Sequence, residues 1–219
     1  EVLLGRLEVV VRYNVIKKAI EILIPGHSSS RDNRDNSAMA VLTSECEQAR
    51  MSPRHLNDYI LKLADQNLYN PVTTWIESKP WDGVSRLGQL FATVVSDSPL
   101  KELFIRKWLL QTMVAAAAPA GVATQGVLTF SGAQGIGKTT WIMRLMPRKL
   151  DVILTGHTLD TKNKDSVYLA LSNLICELGE LDATMRKSDI AALKAFVTQQ
   201  EDKLRRPYMA KESEFVRRT

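Results

Sequence analysis

Cysteine is scarce. Cys46 and Cys176 are the only two, they lie far apart, and they offer no metal cluster while suiting a reducing cytoplasm. Histidine is nearly as rare. His27, His55 and His157 stand alone, as surface or capping residues do, so no zinc site is expected. No apolar run reaches the roughly 18 residues that a membrane-spanning helix needs. Residues 113–120 are apolar but too short, and no charged-then-apolar signal opens the chain, so no transmembrane helix and no membrane partner is expected. The one repeat, Arg31-Asp32-Asn33-Arg34-Asp35-Asn36, is too short to build a repeat fold.

What is present suffices for a sizeable core: 45% of the 219 residues are hydrophobic, enough for one large domain or two small ones. The start at Glu1, in a half-apolar stretch, suggests a piece of a longer polypeptide. A net charge of +5 permits nucleic-acid binding without requiring it. Lys203, Arg205, Arg206, Lys211, Arg217 and Arg218 cluster against only Glu212 and Glu214. That cluster either meets phosphates or forms a solvated face.

One stretch organises the rest. Gly132-Ala133-Gln134-Gly135-Ile136-Gly137-Lys138-Thr139 fits G-x-x-x-x-G-K-[ST], a phosphate-binding loop. Before it, Val127-Leu128-Thr129-Phe130 reads as a buried strand. After it, Thr140 to Met146 reads as a helix stopped by Pro147. The glycines let backbone N–H groups curl around phosphate oxygens. The helix start adds partial positive charge. Lys138 supplies a compact cation, and Thr139 offers a hydroxyl to Mg²⁺. Gly132, Gln134, Gly135, Ile136, Gly137, Lys138, Thr139 and Thr140 are therefore the expected nucleotide-binding residues.

Taken in order, residues 7–12 read as a strand, and residues 20–24 as a second strand or part of a helix from Val15. Residues 26–36 read as a loop, and 37–51 as a helix. Ser52-Pro53 opens another helix, with serine as cap and proline in the first turn. Leu56, Tyr59, Ile60, Leu63 and Ala64 form its apolar face, one that packs rather than reads DNA. Trp81-Asp82-Gly83 makes a turn, and Trp75 and Trp81 are expected as core anchors. Leu87, Leu90, Phe91, Val94 and Val95 repeat the helical spacing, and a further helix runs from Ser98-Pro99 to about Ala118. This divides the chain into a mostly helical module with a small strand element, 1–97, and a second domain, 98–219.

A phosphate loop needs an acidic partner at the end of a neighbouring parallel strand. Asn173-Leu174-Ile175-Cys176-Glu177-Leu178 fits, with Glu177 near Mg²⁺ and either Glu177 or Glu180 orienting the attacking water. Residues 152–154 read as a strand between the two motifs. Residues 165–171 and a stretch from Ser188-Asp189 through Phe196 read as helices. The alternation indicates an α/β layer with a mainly parallel sheet and nucleotide at the carboxyl ends of its strands.

Four passages resemble the virulence-associated protein E family, replication ATPases of phages and genomic islands related to superfamily 3 helicases and primase–helicases. They are Asn70-Pro71-Val72 with Trp81-Asp82-Gly83-Val84-Ser85-Arg86-Leu87, the phosphate loop, Glu177-Leu178-Gly179-Glu180-Leu181, and Leu193-Lys194-Ala195-Phe196-Val197-Thr198 with Asp202 and Arg206-Pro207-Tyr208. Residues 1–69 match only loosely. The resemblance implies a P-loop ATPase core of the AAA+ type, using ATP and Mg²⁺. It implies single-stranded or origin DNA as partner and a homo-oligomeric ring such as a hexamer. In such rings an arginine of one subunit reaches the neighbour's γ-phosphate. Arg206 is the candidate for that cation, while Asp202 reads as a structural salt-bridge partner.

Two departures from the family pattern stand out. The acidic residues here are spaced Glu-Leu-Gly-Glu rather than adjacent. The family's polar sensor strand is expected beyond Thr219, with residues 215–219 as its start. Three functions are therefore weighed: a Mg²⁺-dependent, helicase-like ATPase acting on DNA, a nucleotide-gated DNA-binding or assembly module with little turnover, and, least favoured, a small-molecule kinase.

Overall fold

The alternating residues Val10–Asn14 and Ala19–Leu23 form an antiparallel hairpin, β1 and β2, with Val11 opposite Ile22. Its turn is built by Asn14, whose Oδ1 accepts from the N–H groups of Ile16 at 3.0 Å and Lys17 at 2.9 Å. This is the local bonding that suits Asn to turns. It settles the second apolar run as a strand. The computed structural model describes residues 2–30, 32–124, 126–179, 187–199, 201–204 and 213–219. The chain folds as two compact units, 1–71 and 72–219.

The first unit begins with the short helix α1, Val2–Arg6. After the hairpin come α2, Arg34–Gln48, and α3, Leu56–Gln66. A two-residue strand β3, Leu68–Tyr69, then pairs parallel to β1, giving the order β2-β1-β3. Ser52 caps a single 3-10 turn, Pro53–His55, rather than α3 itself. Leu42 of α2 and Ile60 and Ala64 of α3 close over Val11 and Ile22, with Leu4 completing the core. Burying each such leucine or isoleucine contributes about 1.5–3 kcal/mol. β3 has no alternating pattern to betray it. It is held by register, with Tyr13 N donating to Asn67 O at 2.9 Å and Asn67 Nδ2 donating to Val11 O at 2.9 Å.

α4, Pro71–Glu77, begins at the last residue of the first unit and lies otherwise in the second, proline occupying its first position as its fixed φ favours. Next come α5, Leu87–Ala92, and α6, Lys101–Ala117. Between α4 and α5, Trp81 is not the expected core anchor: it is 77% exposed. Its loop folds on itself instead, with Trp81 Nε1 donating to Val84 O at 3.3 Å and Val84 N to Asp82 Oδ1 at 3.0 Å, while Gly83 takes φ 80. Arg86 is ion-paired to Asp82 and, with the Val84 N–H, holds that carboxyl below the usual carboxylate range.

Beyond α6 the elements are α7, Lys138–Met143; a 3-10 turn, Arg148–Leu150; β4, Ile153–His157; α8, Lys164–Leu171; β5, Ile175–Leu178; α9, Lys187–Thr198; β6, Glu201–Leu204; and β7, Ser213–Val216. The architecture is mixed α/β with small sheets. β4 and β5 pair in parallel, as the two apolar runs required. The parallel layer stops there among the described residues. Residues 127–130, expected as a buried strand, join no sheet, and Val127 is exposed. An apolar run without a neighbouring strand has no ladder to enter. Here Phe130 packs edge-on against Trp141 and the Gly126 carbonyl accepts from Gln111. Residues 215 and 216, expected to open a new strand, belong to β7, antiparallel to β6.

A buried ion pair fixes that last hairpin. Arg217 is 1% exposed and Asp202 7%. The guanidinium donates to both Asp202 oxygens at 2.7 Å, also to the Phe196 carbonyl and to Gln199 Oε1, and lies 4.1 Å from the centre of the Phe196 ring. Next to it, Arg218 donates to the carbonyls of Ala116, in the last turn of α6, at 3.0 Å and of Pro119, just beyond it, at 3.4 Å. Gly121 passes so close that an added Cβ would lie 3.0 Å from the Arg217 carbonyl.

Removing one member of a buried pair strands the other charge. Asp202→Ala should therefore lower the stability of the second unit by about 3–5 kcal/mol in urea unfolding. The double change with Arg217→Met should recover part of that loss. An unchanged midpoint for Asp202→Ala would show that the pair is not structural.

Candidate functional site

The loop before α7 is shaped by its glycines. Gly132, Gly135 and Gly137 have φ of 147, 82 and 94, values that other residues adopt at a cost. Ile136 is exposed, and its Cδ1 would lie 2.9 Å from a Cβ added at Gly132; that side-chain end can move aside, so the constraint at Gly132 is its backbone conformation. The backbone turns into α7 at Gly137. The Lys138 ammonium folds back across the loop, donating to the carbonyls of Gly132 at 2.8 Å and Ala133 at 2.7 Å. α7 has only six residues, so Lys138, more than the helix, supplies the positive charge.

β5 delivers the second half. Ile175 and its predecessors Asn173 and Leu174 are buried, and the strand emerges at Glu177. Thr139 Oγ1 donates to Glu177 Oε1 at 2.6 Å. The other carboxylate oxygen accepts from the Gly156 N–H of β4 at 3.2 Å. Two residues 38 apart in sequence thus meet. The adjacent cleft has a volume of about 860 Å³ and is lined by Lys138, Thr139 and Glu177, by Trp108 and Thr112 of α6, and by Phe196 of α9. Gly132, Gln134, Gly135, Gly137 and Thr140 also face it, and Ile136 does not.

The oxygens of Thr139 and Glu177 are hard donors with no nitrogen or sulfur ligand between them. That set suits Mg²⁺, which keeps several waters and needs few protein ligands. No group of three or more His, Cys, Asp or Glu gathers anywhere among the described residues. The histidines are otherwise engaged: His27 with Ser37 Oγ at 2.9 Å, His55 with Asp58 at 3.2 Å at the start of α3, and His157 with Ser166 Oγ at 3.1 Å.

Glu180 and Arg206 lie outside the described residues, as do Arg205 and Lys211. The rest of the expected basic cluster is committed elsewhere. Arg217 is buried on Asp202, Arg218 donates to the Ala116 carbonyl of α6, and Lys203 pairs with Glu214 at 2.9 Å. Asp202 is thus a structural salt-bridge partner, through Arg217. Sequence reasoning missed Gly156. Its signal was a lone glycine within a strand pattern, which marks a bulge.

The virulence-associated protein E-like domain matches residues 76–219. The chain belongs to that family. The family match holds the phosphate loop and Glu177 and falls inside the second unit, whereas the β2-β1-β3 sheet lies outside it. No curated protein matches the chain. Among the described residues of this family member, no helix is long and apolar enough to cross a membrane.

Cys176 reports on the site's surroundings. Burial pushes its thiol up to about 11, and the neighbouring Glu177 charge adds to the rise. A raised thiol pKa means that the reactive thiolate is scarce at neutral pH and grows as pH approaches that value. Iodoacetamide labelling of the Cys176 peptide, followed by mass spectrometry, should be slow at pH 8 and accelerate toward pH 11. Glu177→Gln should shift that profile to lower pH. Fast labelling at pH 8 would contradict the burial of this thiol.

Proposed function

We propose that this chain is the Mg²⁺-dependent ATPase core of a helicase-like DNA replication protein carried by phages or genomic islands. The observation that carries the reading is the Thr139–Glu177 hydrogen bond beside a lysine folded over a glycine loop. In this reading residues 98–219 are a P-loop core of the AAA+ and superfamily 3 kind, to which the parallel β4–β5 pair lends support. The loop amides from Gly132 to Thr140, with Gln134 and Ile136 in the turn, bind the ATP phosphates. Lys138 neutralises them.

Thr139 and Glu177 would hold Mg²⁺, which when bound supplies charge to the phosphate oxygens. Glu177, or Glu180 from the same passage, aims the attacking water. Arg206 would serve a neighbouring subunit as the cation placed where charge develops. DNA, single-stranded or at an origin, is the proposed partner. The charge balance supports this: the net +5 of the chain falls entirely in residues 72–219, while residues 1–71 are neutral. A homo-oligomeric ring, such as a hexamer, is the proposed assembly.

The test is ATP hydrolysis with and without single-stranded DNA, beside Lys138→Ala and Glu177→Gln. Each substitution should reduce turnover by about 100-fold or more, as loss of a group acting on the transition state does, and DNA should raise the parent rate. Tight, Lys138-dependent nucleotide binding without turnover would instead favour the nucleotide-gated module. Neither binding nor turnover would remove the site assignment.

A further inference from the structure

In a regular ladder the N–H of a strand residue serves the neighbouring backbone. The β4–β5 register slips between Leu154 and His157, and Gly156 sits in that irregularity with φ 65. Its N–H leaves the ladder and meets Glu177 Oε2 at 3.2 Å. With Thr139 on the other oxygen, the carboxylate is gripped at both ends and its rotation is fixed. Gly179, just past β5, supports the same feature from behind. A Cβ added there would lie 3.3 Å from Gly156 Cα and 3.4 Å from Gly156 C. Around Gly156 itself an added Cβ meets nothing within 4 Å. The two glycines therefore act through different constraints: backbone conformation at 156 and space at 179.

We propose that Gly156 is a positioning residue, whose bulged N–H sets the orientation of the Glu177 carboxylate toward the metal, and that Gly179 preserves the bulge. This rests on the nucleotide reading above, because Glu177 is there the metal-side carboxylate. Groups that orient metal-binding carboxylates typically control affinity by 10- to 100-fold. Asparagine tolerates a left-handed backbone and valine does not. Gly156→Asn therefore keeps the N–H in place, and Gly156→Val displaces it.

The first measurement uses the full chain and a fluorescent N-methylanthraniloyl-ATP, titrated with Mg²⁺ and with EDTA. Gly156→Val and Gly179→Ala should each lose about tenfold or more of the Mg²⁺-dependent gain while affinity in EDTA stays unchanged. Gly156→Asn should stay within about threefold of the parent. In a Glu177→Gln background, Gly156→Val should add little, since coupled residues are not additive.

The second measurement is amide hydrogen exchange at Gly156 in the protein without metal or nucleotide, where Glu177→Ala should speed exchange. A Gly156→Val protein that keeps the full Mg²⁺ gain, losses that multiply in the Glu177→Gln background, or an amide indifferent to Glu177→Ala would each overturn the proposal. If Gly156→Val fails to fold, Gly179→Ala and the amide exchange decide it. A parent with no Mg²⁺-dependent nucleotide binding would sink the nucleotide reading, while the exchange result would still judge the contact.

Discussion

One carboxylate ties together three separated parts of the chain. Glu177, at the exit of β5, accepts from Thr139 of the glycine loop and from the backbone of β4. The second contact forms only with β4 and β5 in their observed register. Buried Leu174 and Ile175 drive that pairing, because burying apolar side chains is the dominant favourable term in folding. The loop contributes shape through backbone conformations that only glycine adopts cheaply. Packing thus places the carboxylate, and local backbone geometry places what it meets.

The legible parts of the fold are those where one physical signal dominates a short window. Three glycines with Lys138 and Thr139 specify a loop, and an apolar run ending in Glu177 specifies a strand exit. Both were readable, and their meeting follows from chain topology. The hairpin was half readable, its alternation clear and its turn dependent on Asn14. Pairings across long separations were not readable. β3 exists through its register with β1, and β6 and β7 are set by Asp202 meeting Arg217: Asp202 reads in sequence as a salt-bridge partner, but Arg217 looks like one more member of a basic cluster, and nothing local names it as the partner. Residues 127–130 mislead for the opposite reason: apolar composition favours strand, but a strand also needs a neighbour. Trp81 misleads because its size favours burial, whereas the Asp82–Arg86 clamp lets the loop satisfy its own polar groups at the surface.

The division of the chain also separates its electrostatics. The first unit, outside the family match, balances its charges and builds an ordinary apolar core under α2 and α3. The second carries the glycine loop, the carboxylate and the surplus of basic residues. The positive charge of the chain is thus concentrated in one unit.

Arg217 bears on how that surplus acts. Its guanidinium is out of contact with water, balanced by Asp202 and wrapped by Phe196 and Gln199. A cation of this kind condenses no anions from solution and releases none when a polyanion arrives. The salt dependence of binding to any polyphosphate counts only cations that exchange partners with solvent. The slope of log affinity against log salt concentration will therefore reflect fewer charges than the sequence tallies, because Arg217 belongs, thermodynamically, to the interior.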